Sequence, residues 1–249
     1  MGTLDRQPVW LTVFLDYPEA EFDAGTRFWV GATGYSLSPA RGDQDEFATL
    51  LPARGDAYLK VQRLDAGTSR LHLDLHVSEP WTVAERVEAA GAELVEESPH
   101  GYFVMRSPAG FTFCLVSHAG GVVPPLARWL SGHRSRVSRF CLDVPRKQYA
   151  AEVAFFRELL CGRWLEVAEP ETALRPAGEW PLDVRLQPAE FASEVTTHLH
   201  LVTDNLTAEV SRLVALGARE RALRTGKAIL EVPGGAAVCV VAREAAELA

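Results

Sequence analysis

The stretch RLHLDLHV at 70–77 alternates leucines with His72, Asp74 and His76. In an extended strand every second side chain shares a face. Two imidazoles and a carboxylate therefore project together, while Leu71, Leu73, Leu75 and Val77 turn to the other side. An imidazole donates and accepts hydrogen bonds and titrates near neutral pH. His72 is thus a candidate acid/base or ligand-binding group, and Asp74 a candidate catalytic partner that orients it or forms an internal ion pair. A divalent metal at His72 is the lesser alternative, and no bound cofactor is expected. Neither a hydrolase triad nor a dinucleotide or phosphate-loop glycine fingerprint is legible.

The same alternation sets Tyr58, Lys60 and Gln62 on one face of a preceding strand, and Thr112 with Cys114 on one face of a later one. Further along, His198 and His200 form a matching stripe, with Asp183, Arg185 and Gln187 on one neighbouring strand and Arg139, Cys141 and Asp143 on another. Four cysteines, at 114, 141, 161 and 239, stand far apart without any Cys-x-x-Cys pair. This gives no basis for a zinc ribbon or redox motif. Large apolar neighbours, Phe113, Leu115, Val238 and Val240, mark Cys114 and Cys239 as small buried hydrophobes rather than thiolates.

The elements that carry these residues repeat. Residues 70–116 reread as 196–241: an alternating strand, a helix with apolar residues three and four apart, a Gly-Ala pair at 91–92 or 217–218, and two further strands. The apolar helix positions are Val83, Val87 and Ala90 in one copy and Val210, Leu213 and Leu216 in the other. The glycines suit a left-handed helix terminus, and Pro-Ala-Gly at 108–110 or Pro-Gly-Gly at 233–235 marks the turn between the closing strands. A more divergent version precedes each copy, entering its helix through Phe28-Trp29 or Phe155-Phe156, aromatics read as helix-to-sheet core. The chain is therefore expected to be α+β, with four βαβββ modules paired into two domains at 7–117 and 136–243. The linker, 118–135, carries Gly120-Gly121 and Pro124-Pro125, and Leu126, Trp129 and Leu130 are expected to dock there as a short helical turn.

The paired modules, the Phe-Trp dipeptide, the HLDL strand, the helix ends AAGAE and ALGAR, and the closing PAGFTFCLV together resemble the glyoxalase/bleomycin-resistance/dioxygenase group, the vicinal oxygen chelate superfamily. The resemblance implies two glyoxalase-like domains whose curved mixed sheets form cups. It also implies an intramolecular pseudo-dimer, with a homodimer as a further expectation. In metal-dependent members four strand positions hold a divalent ion. Here those positions fall on Thr12, Gln62, His72 and Cys114, and on Arg139, Gln187, His198 and Cys239. No carboxylate occupies any of them, and the Arg139 guanidinium repels a cation, so neither cup is expected to hold a tightly bound metal. Relatives stack planar ligands on aromatic cups, which makes Trp10, Phe14 and Tyr58 candidate ligand contacts.

Across 249 residues, 25 Lys+Arg against 33 Asp+Glu leave a net charge of -8 without a basic cluster. Such a surface lacks the cations that neutralise phosphate backbones, so nucleic acid is excluded as a partner. No apolar run reaches the roughly 18 to 20 residues of a membrane span, and the start MGTLDRQPVW lacks a signal pattern. A cytoplasmic location is expected. The leading expectation is a small-molecule-binding protein of sequestration or resistance type, the ligand held by Thr12, Phe14, Tyr58, Lys60, Gln62, His72, His76 and Cys114, or by Arg139, Arg185, Gln187, His198 and His200. The alternatives are a lyase or isomerase using His72, and a structural or regulatory module with vestigial cups.

Overall fold

The computed structural model describes residues 8–118, 120–160, 163–166, 172–175 and 180–243. The expected modules are all present. The first runs β1 (Trp10–Pro18), α1 (Glu19–Thr33), β2 (Ser36–Leu37), β3 (Phe47–Leu51) and β4 (Leu59–Leu64). The second runs β5 (Arg70–Val77), α2 (Pro80–Ala89), β6 (Glu93–Glu97), β7 (Phe103–Arg106) and β8 (Thr112–Ser117). After β9 (Ala127–Arg128), the third comprises β10 (Arg134–Pro145), α3 (Tyr149–Leu160), β11 (Arg163–Glu166), β12 (Thr172–Arg175) and β13 (Asp183–Ala189). The fourth comprises β14 (Thr196–Thr203), α4 (Leu206–Ala215), β15 (Arg219–Arg224), β16 (Lys227–Glu231) and β17 (Ala237–Ala242).

The strands form two curved mixed sheets, neither closed into a barrel, with equivalent orders: β2-β3-β4-β1-β5-β8-β7-β6 and β11-β12-β13-β10-β14-β17-β16-β15. The pairs β5 with β8 and β14 with β17 are parallel, the connection spanning a helix and two strands in each case. Gly91 and Gly217 adopt positive φ just beyond α2 and α4, as their Gly-Ala pairs predict. Asn205 caps α4 by accepting from the Ala208 amide at 3.0 Å.

Compactness groups the chain into two units, each drawn from three segments. One unit holds residues 1–13, 72–122 and 140–197; the other holds 14–71, 123–139 and 198–249. In the first unit Phe111, Phe113, Phe140, Phe155 and Phe156 form a buried aromatic core, with ring centres 5.6–6.2 Å apart. The turn at 107–111 is tied to α3 by Glu152, whose buried carboxylate accepts from Ser107 Oγ at 2.5 Å and from the Ala109 amide at 2.8 Å. The second unit buries Phe28 and Trp29 as expected, and Trp29 Nε1 donates to the Tyr17 hydroxyl at 2.8 Å.

The segment 118–135 differs from its expectation. Leu126, Trp129 and Leu130 do not form a helical turn; β9 pairs antiparallel with β10 instead, placing Ala127 opposite Ser135. Pairing with β10 commits the backbone of Ala127 and Arg128 to a strand ladder, and Trp129 has a partner outside any helix, its Nε1 donating to Ser135 Oγ at 2.7 Å. Leu130 is exposed rather than docked.

Candidate functional site

β5 carries the first group of candidate residues. Leu71, Leu73, Leu75 and Val77 are buried, at 6% exposure or less, and alternation sends His72, Asp74 and His76 to the opposite face. The parallel register of β5 and β8 sets Asp74 beside Cys114. His72 Nε2 lies 3.6 Å from Asp74 Oδ1, and one donor atom from each of His72, Asp74 and Cys114 falls within 4.8 Å of the other two. The side chains of His72 and Asp74 remain 13% and 10% exposed. Both are thus largely shielded from water. Asp74, outside the inherited ligand positions, is the carboxylate that completes this cluster.

At the other end of β5, His76 is buried and its Nε2 is 3.0 Å from Thr12 Oγ1. Thr12 itself has no exposed surface. The His118 ring, just past β8, lies 5.1 Å from that of His76. Sequence reasoning missed His118 because it follows the alternating strand instead of sitting within it. His76 and Thr12 thus serve each other, while His72, Asp74 and Cys114 form a separate cluster.

The other unit holds Phe14, Tyr58, Lys60 and Gln62. Lys60 Nζ sits 4.8 Å from the centre of the Phe14 ring, a cation–π arrangement, and Phe14 packs edge-on against Phe47. Lys60 and Gln62 are half-buried. Trp10 and Tyr58 correct the expectation of ligand contact: both are buried, and Tyr58 has no exposed surface at all. The Tyr58 hydroxyl donates to the Val137 carbonyl at 2.8 Å, and burial pushes its pKa well above the ordinary tyrosine value. It is a core residue because its one polar atom finds a backbone acceptor.

In the second sheet Gln187 donates to Asp143, so its amide is engaged by a carboxylate of the neighbouring segment. Arg185 is half-buried and Arg139 buried. On β14, His198 and His200 turn their Nε2 atoms to within 3.1 Å of each other, with ring centres 5.1 Å apart. The register of β14 and β17 places His200 beside Cys239. The repeat therefore puts an imidazole, His200, where the first sheet has the Asp74 carboxylate. Cys114, Cys141 and Cys239 are buried thiols outside any disulfide; Cys161 lies outside the described residues.

The metal that the fold family implies is tested by donor chemistry. Manganese-type ions favour oxygen donors, whereas the inherited positions of the first sheet offer a hydroxyl already bonded to His76, an amide, an imidazole and a thiol. That set does not fit. The set His72, Asp74 and Cys114 does fit a borderline ion such as zinc, which takes nitrogen, oxygen and sulfur at about 2.0 to 2.3 Å. Two such ligands at a tetrahedral angle stand about 3.4 Å apart, close to the observed separation of His72 and Asp74.

Similarity to known proteins follows the same lines. Residues 12–116 and 139–241 each match the family described as Glyoxalase-like domain. No curated protein matches the chain. Among solved structures, the Mn(II)-bound glyoxalase from Novosphingobium aromaticivorans superposes with a TM-score of 0.66 at 19% identity, covering 98% of this chain and 83% of that one. A 4-hydroxymandelate synthase variant from Streptomyces coelicolor gives 0.62 at 11% identity, covering 96% and 93%. The 2,2',3-trihydroxybiphenyl 1,2-dioxygenase from Sphingomonas wittichii strain RW1 gives 0.61 at 15% identity, covering 96% and 90%. Among the described residues no helix is long and apolar enough to cross a membrane. With both matched segments folded as βαβββ pairs, the chain belongs to the glyoxalase-like domain family.

Proposed function

We infer that the first sheet binds a small organic molecule, with His72 and Asp74 as its polar anchor. The observation that carries this reading is the His72–Asp74 pair at 3.6 Å, set beside Cys114 on a strand whose other face is core. Asp74 is placed to orient the imidazole of His72. The pair can therefore donate to a ligand oxygen or accept from a ligand hydroxyl, each such bond worth about 0.5–1.5 kcal/mol net. The same geometry serves proton transfer to a bound ligand, which makes a lyase or isomerase the enzymatic form of the reading. Sequestration is its non-catalytic form.

A second reading rests on the three donor atoms within 4.8 Å. His72, Asp74 and Cys114 would hold a zinc-like ion, which supplies Lewis-acid polarisation of a ligand oxygen when bound. The residues' own part would be to fix that ion through imidazole nitrogen, carboxylate oxygen and thiolate sulfur.

The test is a thermal-shift panel of catechols, hydroxybiphenyls and hydroxymandelates, run with and without chelator. A compound at about 100 times its dissociation constant stabilises by roughly 2.7 kcal/mol. His72→Ala and Asp74→Asn are expected to abolish that shift while leaving the unliganded melting temperature within a few degrees. Binding undiminished in both variants sinks the reading. Binding that requires zinc and disappears with chelator selects the metal form.

A further inference from the structure

We propose that His198 and His200 form a two-imidazole chelate for a divalent transition metal on the second sheet, through ligands that differ from the strand positions the fold family uses. The two residues stand at i and i+2 on β14, so alternation gives them one face, and their Nε2 atoms converge to 3.1 Å. Two neutral imidazoles at that distance hold one proton between two nitrogens; two imidazolium groups facing each other repel. When the donor ring carries its proton on Nδ1 instead, both rings stay neutral and both Nε2 lone pairs face the gap, where one metal ion can accept them. With metal–nitrogen bonds of about 2.0–2.1 Å, two ligands are about 2.9 Å apart at a right angle and about 3.4 Å apart at a tetrahedral one. The observed spacing falls between these values, so the rings need only small adjustments.

The internal repeat strengthens the assignment. Asp74 of the first sheet and His200 of the second occupy equivalent places, each beside a cysteine in strand register, Cys114 or Cys239. Changing the carboxylate to an imidazole removes the oxygen donor and leaves two imidazole nitrogens side by side. Imidazole pairs suit nickel, copper and zinc, and are poor hosts for magnesium, calcium or manganese. The fold family supplies its metal positions on four separate strands, at Arg139, Gln187, His198 and Cys239 in this sheet. Arg139 carries a fixed positive charge and Gln187 donates its amide to Asp143, so that set does not operate. The His198–His200 pair lies along one strand and includes only one of those positions.

The experiment uses the full chain, stripped with chelator and dialysed. Copper(II) is followed by electron paramagnetic resonance and zinc(II) by titration calorimetry. The expected result is one site with nitrogen superhyperfine structure from two imidazoles. Its affinity falls in both His198→Gln and His200→Gln by more than the roughly 10- to 100-fold that loss of a supporting outer group costs. His72→Gln is the control and is expected to leave this site intact. Circular dichroism and the metal-free melting temperature establish that each variant is folded; if one is not, the other decides. Unchanged affinity in the folded histidine variants overturns the proposal, as does an absence of nitrogen coupling. A loss confined to His72→Gln also overturns it and assigns the metal to the first-sheet cluster.

Discussion

Arg212 donates to both carboxylate oxygens of Glu209, from Nε at 2.8 Å and from one terminal nitrogen at 2.7 Å, while Glu209 is completely buried. The guanidinium also donates to the carbonyls of Gly31 and Ala32 at 2.8 Å each, closing the last turn of α1, and its carbon lies 3.5 Å from the centre of the Trp129 ring. His133 and Ser135 complete the shell around Glu209, at 2.6 and 2.9 Å. Lysine has neither the planar fork nor the reach for both partners.

Arg212→Lys keeps the charge but loses the fork, and is therefore expected to destabilise the protein by about 1–3 kcal/mol, the range for leaving buried polar groups unsatisfied. Urea unfolding monitored by tryptophan fluorescence measures it. A loss below about 0.5 kcal/mol would show that a lysine ammonium serves Glu209 as well as the guanidinium does.

Glu152 gives a pH-dependent signature. Burial raises its pKa above the ordinary carboxylate value, against the opposing effect of the Ser107 and Ala109 hydrogen bonds. A raised acid in the folded state means that its contribution is fully present below the unfolded pKa, near 4.5. That contribution is lost as pH rises through the folded value. Wild type is thus expected to lose stability relative to Glu152→Gln on going from about pH 4 to pH 7. Parallel denaturation series over that range check the sign, and a gain would contradict the assignment.

Tyr58→Phe separates core from site. The substitution removes the donor to the Val137 carbonyl and is expected to cost about 1–3 kcal/mol, the range for leaving a buried acceptor unsatisfied. Binding of any compound that depends on His72 is expected to be unchanged. A selective loss of binding at intact stability would return Tyr58 to the ligand contacts.

Two adjacent glycines are expected to differ in tolerance. Gly234 and Gly235 both have positive φ, 91° and 80°. A Cβ on Gly234 would stand 2.3 Å from Tyr17 Cε1, whereas one on Gly235 meets nothing within 4 Å. Gly235→Ala should cost only the left-handed backbone penalty of about 1–2 kcal/mol. Gly234→Ala adds displacement of the ring whose hydroxyl accepts from Trp29, and is expected to be the more destabilising by at least about 1 kcal/mol. Equal melting temperatures would show that Tyr17 yields freely.

The sequence disclosed the modules because their signals are local. Alternation at 70–77, the apolar helix spacing and the Gly-Ala pairs each depend on a few neighbouring residues, and the repeat states them twice. The stripe His72, Asp74, His76 was legible for the same reason. Its division into the His72–Asp74 pair and a His76 bonded to Thr12 was not, since that depends on Thr12, 64 residues away from His76. Tyr58 was misread because alternation gives a side chain's direction without showing whether a backbone carbonyl waits to cover it. The network of His133, Glu209, Arg212 and Trp129 had no spacing signature, its members being joined by packing between distant segments. Trp129 lacks a helix because its hydrogen-bond partner, Ser135, lies on β10.

The interleaving of the two compact units orders events during synthesis. The first unit possesses all three of its segments once residue 197 has left the ribosome. The second opens with residues 14–71 and cannot be completed until 198–249 follow. Its early segment, containing Tyr17, Phe28 and Trp29, must therefore wait through translation of most of the chain for the residues that cover it. Long-range closure of this kind slows folding and leaves apolar surface exposed in the nascent protein. Shielding of that segment, by a chaperone or by provisional contacts within the chain, thus falls in the interval before the fourth module emerges.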